Sequence, residues 1–449
     1  MRKKWWGIII GLGLVGALGA IFFAQHFLAR TLESEKTRNR IAARIGRVID
    51  GEVGVLPITA HGFSVSSSGL VGMAAPPRAL TEARATRVSA RFDLMELWRG
   101  KLRVDRLTVA HAQAAFSPAA ARLLDRTEFP SPPLIPAAKE ATLMSVDIRH
   151  VAIDRTDLFF ADPAKDGGAF RGVETHFYPK GENLVIHGQG GTFHQAKFPE
   201  ARITSFKAFY EKPNLRVDEA HLALGEHGQI DVIGGFRFEG APSLDLRFAF
   251  ARCPIASFLP AGDKLTGTFN GDTHLEKNGG KGAEIKASGA LQMKDAVVQN
   301  VVALERAATF TGERRLNPLR LDDIHGQYEW ADERLVVRDL RAEANHVVCL
   351  QGGFTYRREE IAGTFELGVS PEIVAKFPGA REEVFTREHG GYLWTTVKID
   401  GPPGHLHDDL KPRLLHAIEK HFLGGILSPL VKPAKAAREV IELFLPEQN

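Results

Sequence analysis

The sequence predicts a mainly β protein behind one apolar N-terminal helix, and three observations predict it. From about residue 140 to 400 apolar and polar residues alternate: Leu244, Leu246, Phe248 and Phe250 against Asp245, Arg247 and Ala249. Ile361, Phe365, Leu367 and Val369 alternate in the same way with Ala362, Thr364, Glu366 and Gly368. Period two with one apolar face is the signature of a sheet with one solvated side. Second, several strands break their own register. In "LRVDEAHL" (215–222) the apolar positions step by two and then by three. Third, a long unit recurs.

The register break is frequent. Leu102, Val104, Leu107 and Val109 show it, as do Val146, Ile148, Val151 and Ile153. So do Leu291, Met293, Ala296 and Val298, and Leu335, Val337, Leu340 and Ala342; Leu319, Leu321, Ile324 and Gly326 follow more weakly. Polar pairs stand at the breaks: Asp105-Arg106, Arg149-His150, Asp218-Glu219, Lys294-Asp295, Asp322-Asp323 and Arg338-Asp339. Offsets of 0, 2, 5 and 7 fall on two opposite sides of a helix, so no helical stripe explains them. One extra residue in a strand does, because a bulge returns the second half's apolar set to the same face. Two short strands joined by a tight corner are the alternative.

In chain order, residues 1–30 form a cytoplasmic tip and a membrane anchor. Residues 5–24, "WWGIIIGLGLVGALGAIFFA", carry no charge, and twenty helical residues span about 30 Å, a bilayer's hydrocarbon core. Arg2, Lys3 and Lys4 precede them, which keeps the N-terminus cytoplasmic. The run is long for a cleaved signal peptide, the rival reading. Gly11, Gly13 and Gly16 spell a dinucleotide-binding motif, but inside a membrane run they read as a small-residue helix face.

Residues 31–128 are a second module. A helix over 31–50 has an apolar stripe of Ile41, Ile45, Val48 and Ile49 flanked by arginines, and lies against the membrane surface or on the first strands. Residues 83–116 read as strand, short helix and strand. Residues 129–139, with "FPSPPLIP", read as a linker. Two β-repeat regions follow, 140–262 and 263–402. The stretch from Leu215 and the stretch from Leu335 share one pattern: register break, strand to Gly-Gly-Phe, alternating strand, short proline-bounded helix (254–260 and 371–378). The offset is 335 − 215 = 120 at the start and 352 − 234 = 118 at the Gly-Gly. A period of this size marks a repeated β-unit. Residues 403–449 form a helical tail.

The composition narrows function. The 449 residues carry 57 basic and 54 acidic side chains, net +3, which makes no whole-chain case for nucleic acid. The only cysteines, Cys253 and Cys349, form no C-x-x-C, and could pair only in an oxidising compartment. His405, His407, Asp408, Asp409, His416 and His421 are the densest ligand-type residues, but their spacing does not converge on one scaffold, so no metal is expected. No nucleophile elbow, zincin or P-loop motif occurs, so no catalytic residue, enzyme activity or cofactor is predicted.

The anchor, "ATRVSARFDLMELWRGKLRVDRLTVAHAQAAF" at 85–116, and the repeats ending in proline-bounded helices resemble the AsmA-like family of bacterial envelope proteins. The resemblance covers roughly 80–400 and rests on patterned rather than invariant motifs. It implies a single-pass inner-membrane protein hanging into the periplasm, whose elongated, curled antiparallel β-sheet forms an apolar groove. It further implies phospholipid transfer or outer-membrane biogenesis, with lipid lining Leu244, Leu246, Phe248, Phe250, Ile361, Phe365, Leu367 and Val369. Membrane phospholipid is the expected partner, with other envelope proteins reached through the transmembrane helix or the tail. The alternative is a scaffold or assembly factor whose apolar faces form a closed core.

Overall fold

In a computed structural model the described residues are 33–424, less some short internal stretches, the longest being 94–101 and 137–145. The proposed anchor and the second tail helix lie outside them. Among the described residues no helix is long and apolar enough to cross a membrane. The chain is mainly β and divides into two compact units, Met1–Leu222 and Ala223–Asn449.

Unit 1 opens with helix α1 (Glu35–Ile49), as the sequence predicts. Ser34 caps it, its Oγ accepting the Thr37 N–H at 3.3 Å. The apolar stripe is used on the protein: Ile41, Ile45 and Ile49 pack against Val53, Val55 and Ile58. Strands β1 (Gly51–Val55) and β2 (Ile58–His61) pair with the two halves of β3 (Ser64–Ala74), and β3 pairs with β4 (Glu82–Phe92). The proline-rich stretch is anchored on β1, where Ile135 and Val53 exchange backbone hydrogen bonds of 3.0 and 3.1 Å.

The wholly antiparallel sheet expected from the sequence is corrected at β5 (Leu102–Ala115). It pairs antiparallel with β4 but parallel with β6 (Val146–Ile148) and β7 (Val151–Phe160). A parallel partner needs a long connection, and residues 116–145 supply it. Strand β8 (Gly168–Lys180) pairs with β7. Next, β9 (Asn183–Gln189) and β10 (Thr192–Gln195) lie end to end between β8 and β11 (Phe198–Glu211). The break between β9 and β10 is Gly190-Gly191, both left-handed (φ 70° and 78°). Strand β12 (Asn214–Leu224) runs across the division between the units.

Unit 2 is an antiparallel meander: β13 (Gly228–Arg237), β14 (Ser243–Pro254), β15 (Leu265–Lys277), β16 (Lys286–Val298), β17 (Leu319–Ala331), β18 (Arg334–Ala344), β19 (Val348–Arg357) and β20 (Glu360–Val369). Strands β21 (Arg387–His389), β22 (Tyr392–Gly401) and β23 (His407–Asp408) complete it, with β22 on β20. Helices α2 (Pro371–Val374), α3 (Ala380–Glu383) and α4 (Leu410–Gly424) follow or separate these strands. The outer edge of β22 is blunted: Asp409 accepts from Lys398 N (2.8 Å) and Arg413 donates to Thr396 O (2.6 Å).

The two stretches that share a sequence pattern also share an element order. Strands β12–β14 with a 3-10 turn at Ile255–Ser257 match β18–β20 with α2. Gly234 and Gly352 both have positive φ (135° and 150°), and a Cβ on either would strike the carbonyl oxygen of the facing strand, Asp245 or Thr364.

Most register breaks are bulges. One extra residue stands on β5 between the Arg91–Arg106 and Phe92–Val104 pairs, on β16 between Lys294 and Val297, on β17 at Asp322, and on β18 between Val337 and Leu340. Asp295 and Asp339 take left-handed φ (54° and 52°) to make the turn. Arg149-His150 is the corner form, separating β6 from β7 beside the β5 bulge, so both strands keep parallel register. In β12, Asp218 and Glu219 are consecutive exposed residues between half-buried Val217 and Ala220. A further bulge, between Phe250 and Cys253 on β14, has no polar pair to announce it.

Candidate apolar binding face

The bulges determine which side chains of unit 2 share a face. Following the pairing across the sheet, one row runs Leu246, Leu275, Ala287, Trp330, Leu335, Tyr356, Ile361. The next runs Phe248, Thr273, Gly289, Tyr328, Val337, Phe354, Gly363, Ile399. A third links Phe250, Gly271, Leu291 and Gly326, and continues on the β18 side as Leu340, Gly352, Phe365 and Val397. A fourth links Phe269, Met293, Ile324, Ala342, Leu350 and Leu367. Between the second and third rows β18 steps from Val337 to Leu340; without the bulge Leu340 and Ala342 would face the opposite side.

The eight sequence-predicted residues therefore lie on one face of unit 2. Leu246 and Ile361 share a row. Phe250 and Phe365 stand at the same level, as do Phe248 and the glycine between Phe354 and Phe365. That glycine, Gly363, leaves space for large neighbours: a Cβ there would come within 2.9 Å of both phenylalanines. Tyr328 reaches across Gly289 to hydrogen-bond Thr273 on the strand beyond.

Burial along this face is graded. At one end the helices seal it: Val369, Leu393, Val347, Ile373, Val374, Val384 and Ala417 form one core, with Leu367 packed against it. Phe365 is 6% exposed there. Away from that end Leu244, Phe248 and Phe250 are half-buried, while the alternate residues Asp245, Arg247 and Ala249 are exposed. In the first row Trp330 is 37% exposed, and beyond that row Ile285 is 47% and Phe238 57% exposed. Phe258 closes on Phe250 and Phe269 from the 3-10 turn, edge-on, at 6.4 and 5.2 Å.

The opposite, polar side of the sheet holds a shallow cleft of about 580 Å3 at the β18 bulge, lined by His325, Arg338, Arg341 and Gln351 among others. His325 lies 2.9 Å from Asp323, and each arginine already has an acid: Arg338 has Glu329 at 3.3 Å and Arg341 has Glu343 at 3.0 Å. The cleft is charge-balanced rather than an anion site.

The C-terminal histidines do not converge, and no group of three metal-ligating side chains is assembled among the described residues. Asp408 instead caps α4, accepting from Leu410 and Lys411 N at 2.9 Å. Cys253 and Cys349 are free and buried, and burial pushes both thiols up.

Sequence reasoning missed a polar seam in unit 1. Glu82 and Arg84 on β4, His111 and Gln113 on β5, and Asp157 on β7 are all buried. Arg84 Nε donates to Glu82 at 2.6 Å. His111 Nε2 lies 2.8 Å from Asp157 Oδ2, and Gln113 donates to the same oxygen at 3.3 Å. A bulge on β8 turns the Gly172 N–H to Asp157 Oδ1 at 2.7 Å. Burial pushes the Asp157 carboxyl up, but Gly172, His111 and Arg155 outweigh it and hold the group below its ordinary value. Residues 117–126 cover the seam; Asp125 N donates to Gln113 at 3.0 Å, and Arg126 reaches Glu82 at 3.5 Å. Arg84 Nη1 is buried without a partner. Compared with known protein families, curated proteins and solved structures, the chain matches none.

Proposed function

We propose that the chain is an AsmA-like envelope protein, anchored in the inner membrane by residues 5–24, that carries phospholipid on the apolar face of a curled β-groove in its periplasmic part. The observation that carries this reading is the run of aligned apolar rows from β14 to β20, half-buried over most of its length rather than covered. Burying a large side chain is worth about 1.5–3 kcal/mol, and a monomer rarely leaves so long an apolar strip accessible without a ligand or partner. Acyl chains match such a surface because they need no hydrogen bonds. The sealed end against α2–α4 supports a trough closed at one side. No catalytic role is assigned.

The test is mass spectrometry of lipid extracted from the purified full chain, beside Phe248→Glu. Wild-type protein is expected to carry phospholipid, and Phe248→Glu to lose it while keeping its β-rich circular dichroism. Lipid-free wild-type protein, with Phe248→Glu unfolded, would favour a closed core and a scaffold role.

A further inference from the structure

In unit 1 the strands β7, β8 and β9 bring histidines together on one side. His150, at the corner before β7, stacks flat on Tyr178, with ring centres 4.7 Å apart and planes 2° apart. Its Nε2 lies 3.1 Å from Nδ1 of His176. The other nitrogen of His176, Nε2, lies 3.0 Å from Glu174 Oε1, and Glu174 Oε2 accepts from Gln189 at 2.8 Å. His187 is the cross-strand neighbour of His176.

We propose that His150 and His176 form a two-imidazole site for a divalent transition-metal ion of the zinc or copper class, oriented by Glu174. Two nitrogens at about 2.0–2.1 Å from a metal lie about 2.9 Å apart at a right angle and about 3.4 Å apart at the tetrahedral angle. The observed separation of 3.1 Å falls between these values. Glu174 stands where a ligating histidine's carboxylate partner stands, behind the ring and opposite the metal. It holds the His176 proton on Nε2, so that in the metal-free protein Nδ1 accepts from His150 Nε2. His150 moves its proton from Nε2 to Nδ1 and presents the second lone pair, so no proton is lost overall. Each ring tilts until the lone pairs converge. Arg106 faces His150 and opposes a dication, while Asp105 and Glu174 offset it. Since no third ligand is assembled among the described residues, water fills the remaining positions. Imidazole nitrogen suits zinc, copper and nickel, and copper binds tightest in such sets.

The experiment is calorimetric titration of the full chain with Zn2+, and electron paramagnetic resonance with Cu2+. Wild-type protein is expected to show a saturable site with two-nitrogen coordination. His150→Ala and His176→Ala should weaken it at least about tenfold, and Glu174→Gln by about tenfold. His405→Ala/His407→Ala, which alters only the tail histidines, should leave it unchanged. Thermal unfolding checks that each variant folds, and Glu174→Gln keeps the test open if a histidine variant does not. Binding that is absent in the wild type, or equal in His150→Ala and the wild type, would overturn the proposal.

Discussion

The centre of unit 1 closes charged side chains away from water, whereas the centre of unit 2 keeps hydrocarbon partly in reach of it. Glu82 and Asp157 are 2% and 3% exposed, yet Phe248 and Phe250 are only half-buried. Both regions use similar strands, bulges and pairing. A buried ion costs several kcal/mol of desolvation, and a half-buried phenylalanine forgoes part of its transfer free energy. Neither arrangement maximises stability. In unit 1 the partners offset most of the cost: Glu82 has Arg84 and Arg126, while Asp157 has His111, Gln113 and Gly172. In unit 2 the forgone burial leaves an apolar surface half-exposed.

Three perturbations break or sharpen this contrast. The largest is insertion of one alanine between Leu340 and Arg341, just past the β18 bulge. Ala342 and Ala344 would turn to the polar side and Arg341 and Glu343 to the apolar one, a loss on the order of 5 kcal/mol. Hydrogen exchange should show β17–β19 unprotected while β3–β5 stay protected, whereas deletion of Asp339 at the bulge should restore plain alternation and keep Leu340 and Ala342 on the apolar face. Unchanged protection in β18 after the insertion would mean that register does not control the face.

Next in size is Glu82→Gln, which leaves the Arg84 charge buried and unpaired. Removal of one partner from a buried pair costs about 3–5 kcal/mol. Denaturant unfolding followed by exchange in β4 and β5 should register it. Replacing both, Glu82→Leu with Arg84→Met, should recover most of the loss, since well-packed apolar pairs commonly match buried ion pairs. A double variant as unstable as the single one would show that the seam is not exchangeable for hydrocarbon.

The smallest effect is on pH dependence. The Asp157 carboxyl lies below its ordinary value in the folded chain, so its stabilisation is complete at neutral pH. It is lost as the pH falls below the ordinary carboxylate range and through the folded value. Protection of β5 and β7 should therefore decline on acidification, and Asp157→Asn should flatten that decline. The same slope in both proteins would remove Asp157 from the account.

The contrast also shows which features a sequence carries. Strand positions, the repeat and four of the bulges were legible because alternation and its three-residue steps are local. The aligned rows of unit 2 follow from the same arithmetic once the pairing is sequential. The polar seam was not legible. In "VAHAQAAF" His111 and Gln113 alternate with alanines, which is also how a solvated face reads. What buries them is distant in sequence: the parallel partner β7, set 44 residues on (Gln113 opposite Asp157), and the cover at 117–126. The Phe250–Cys253 bulge went unseen because Ala251-Arg252 does not look like a polar pair. The histidine pair was hidden for a related reason. His150 and His176 stand 26 residues apart and meet only through the β7–β8 ladder.

The central claim is that the half-buried apolar face of unit 2 holds acyl chains, and site-specific photo-crosslinking in cells tests it most directly. A photoreactive residue is placed at Phe248, half-buried, and in a second variant at Arg247, its exposed neighbour on the opposite face. Mass spectrometry then identifies what each one captures. Phospholipid adducts at position 248 and none at 247 are the predicted result. Adducts at 248 confined to other residues of the same chain would contradict the account.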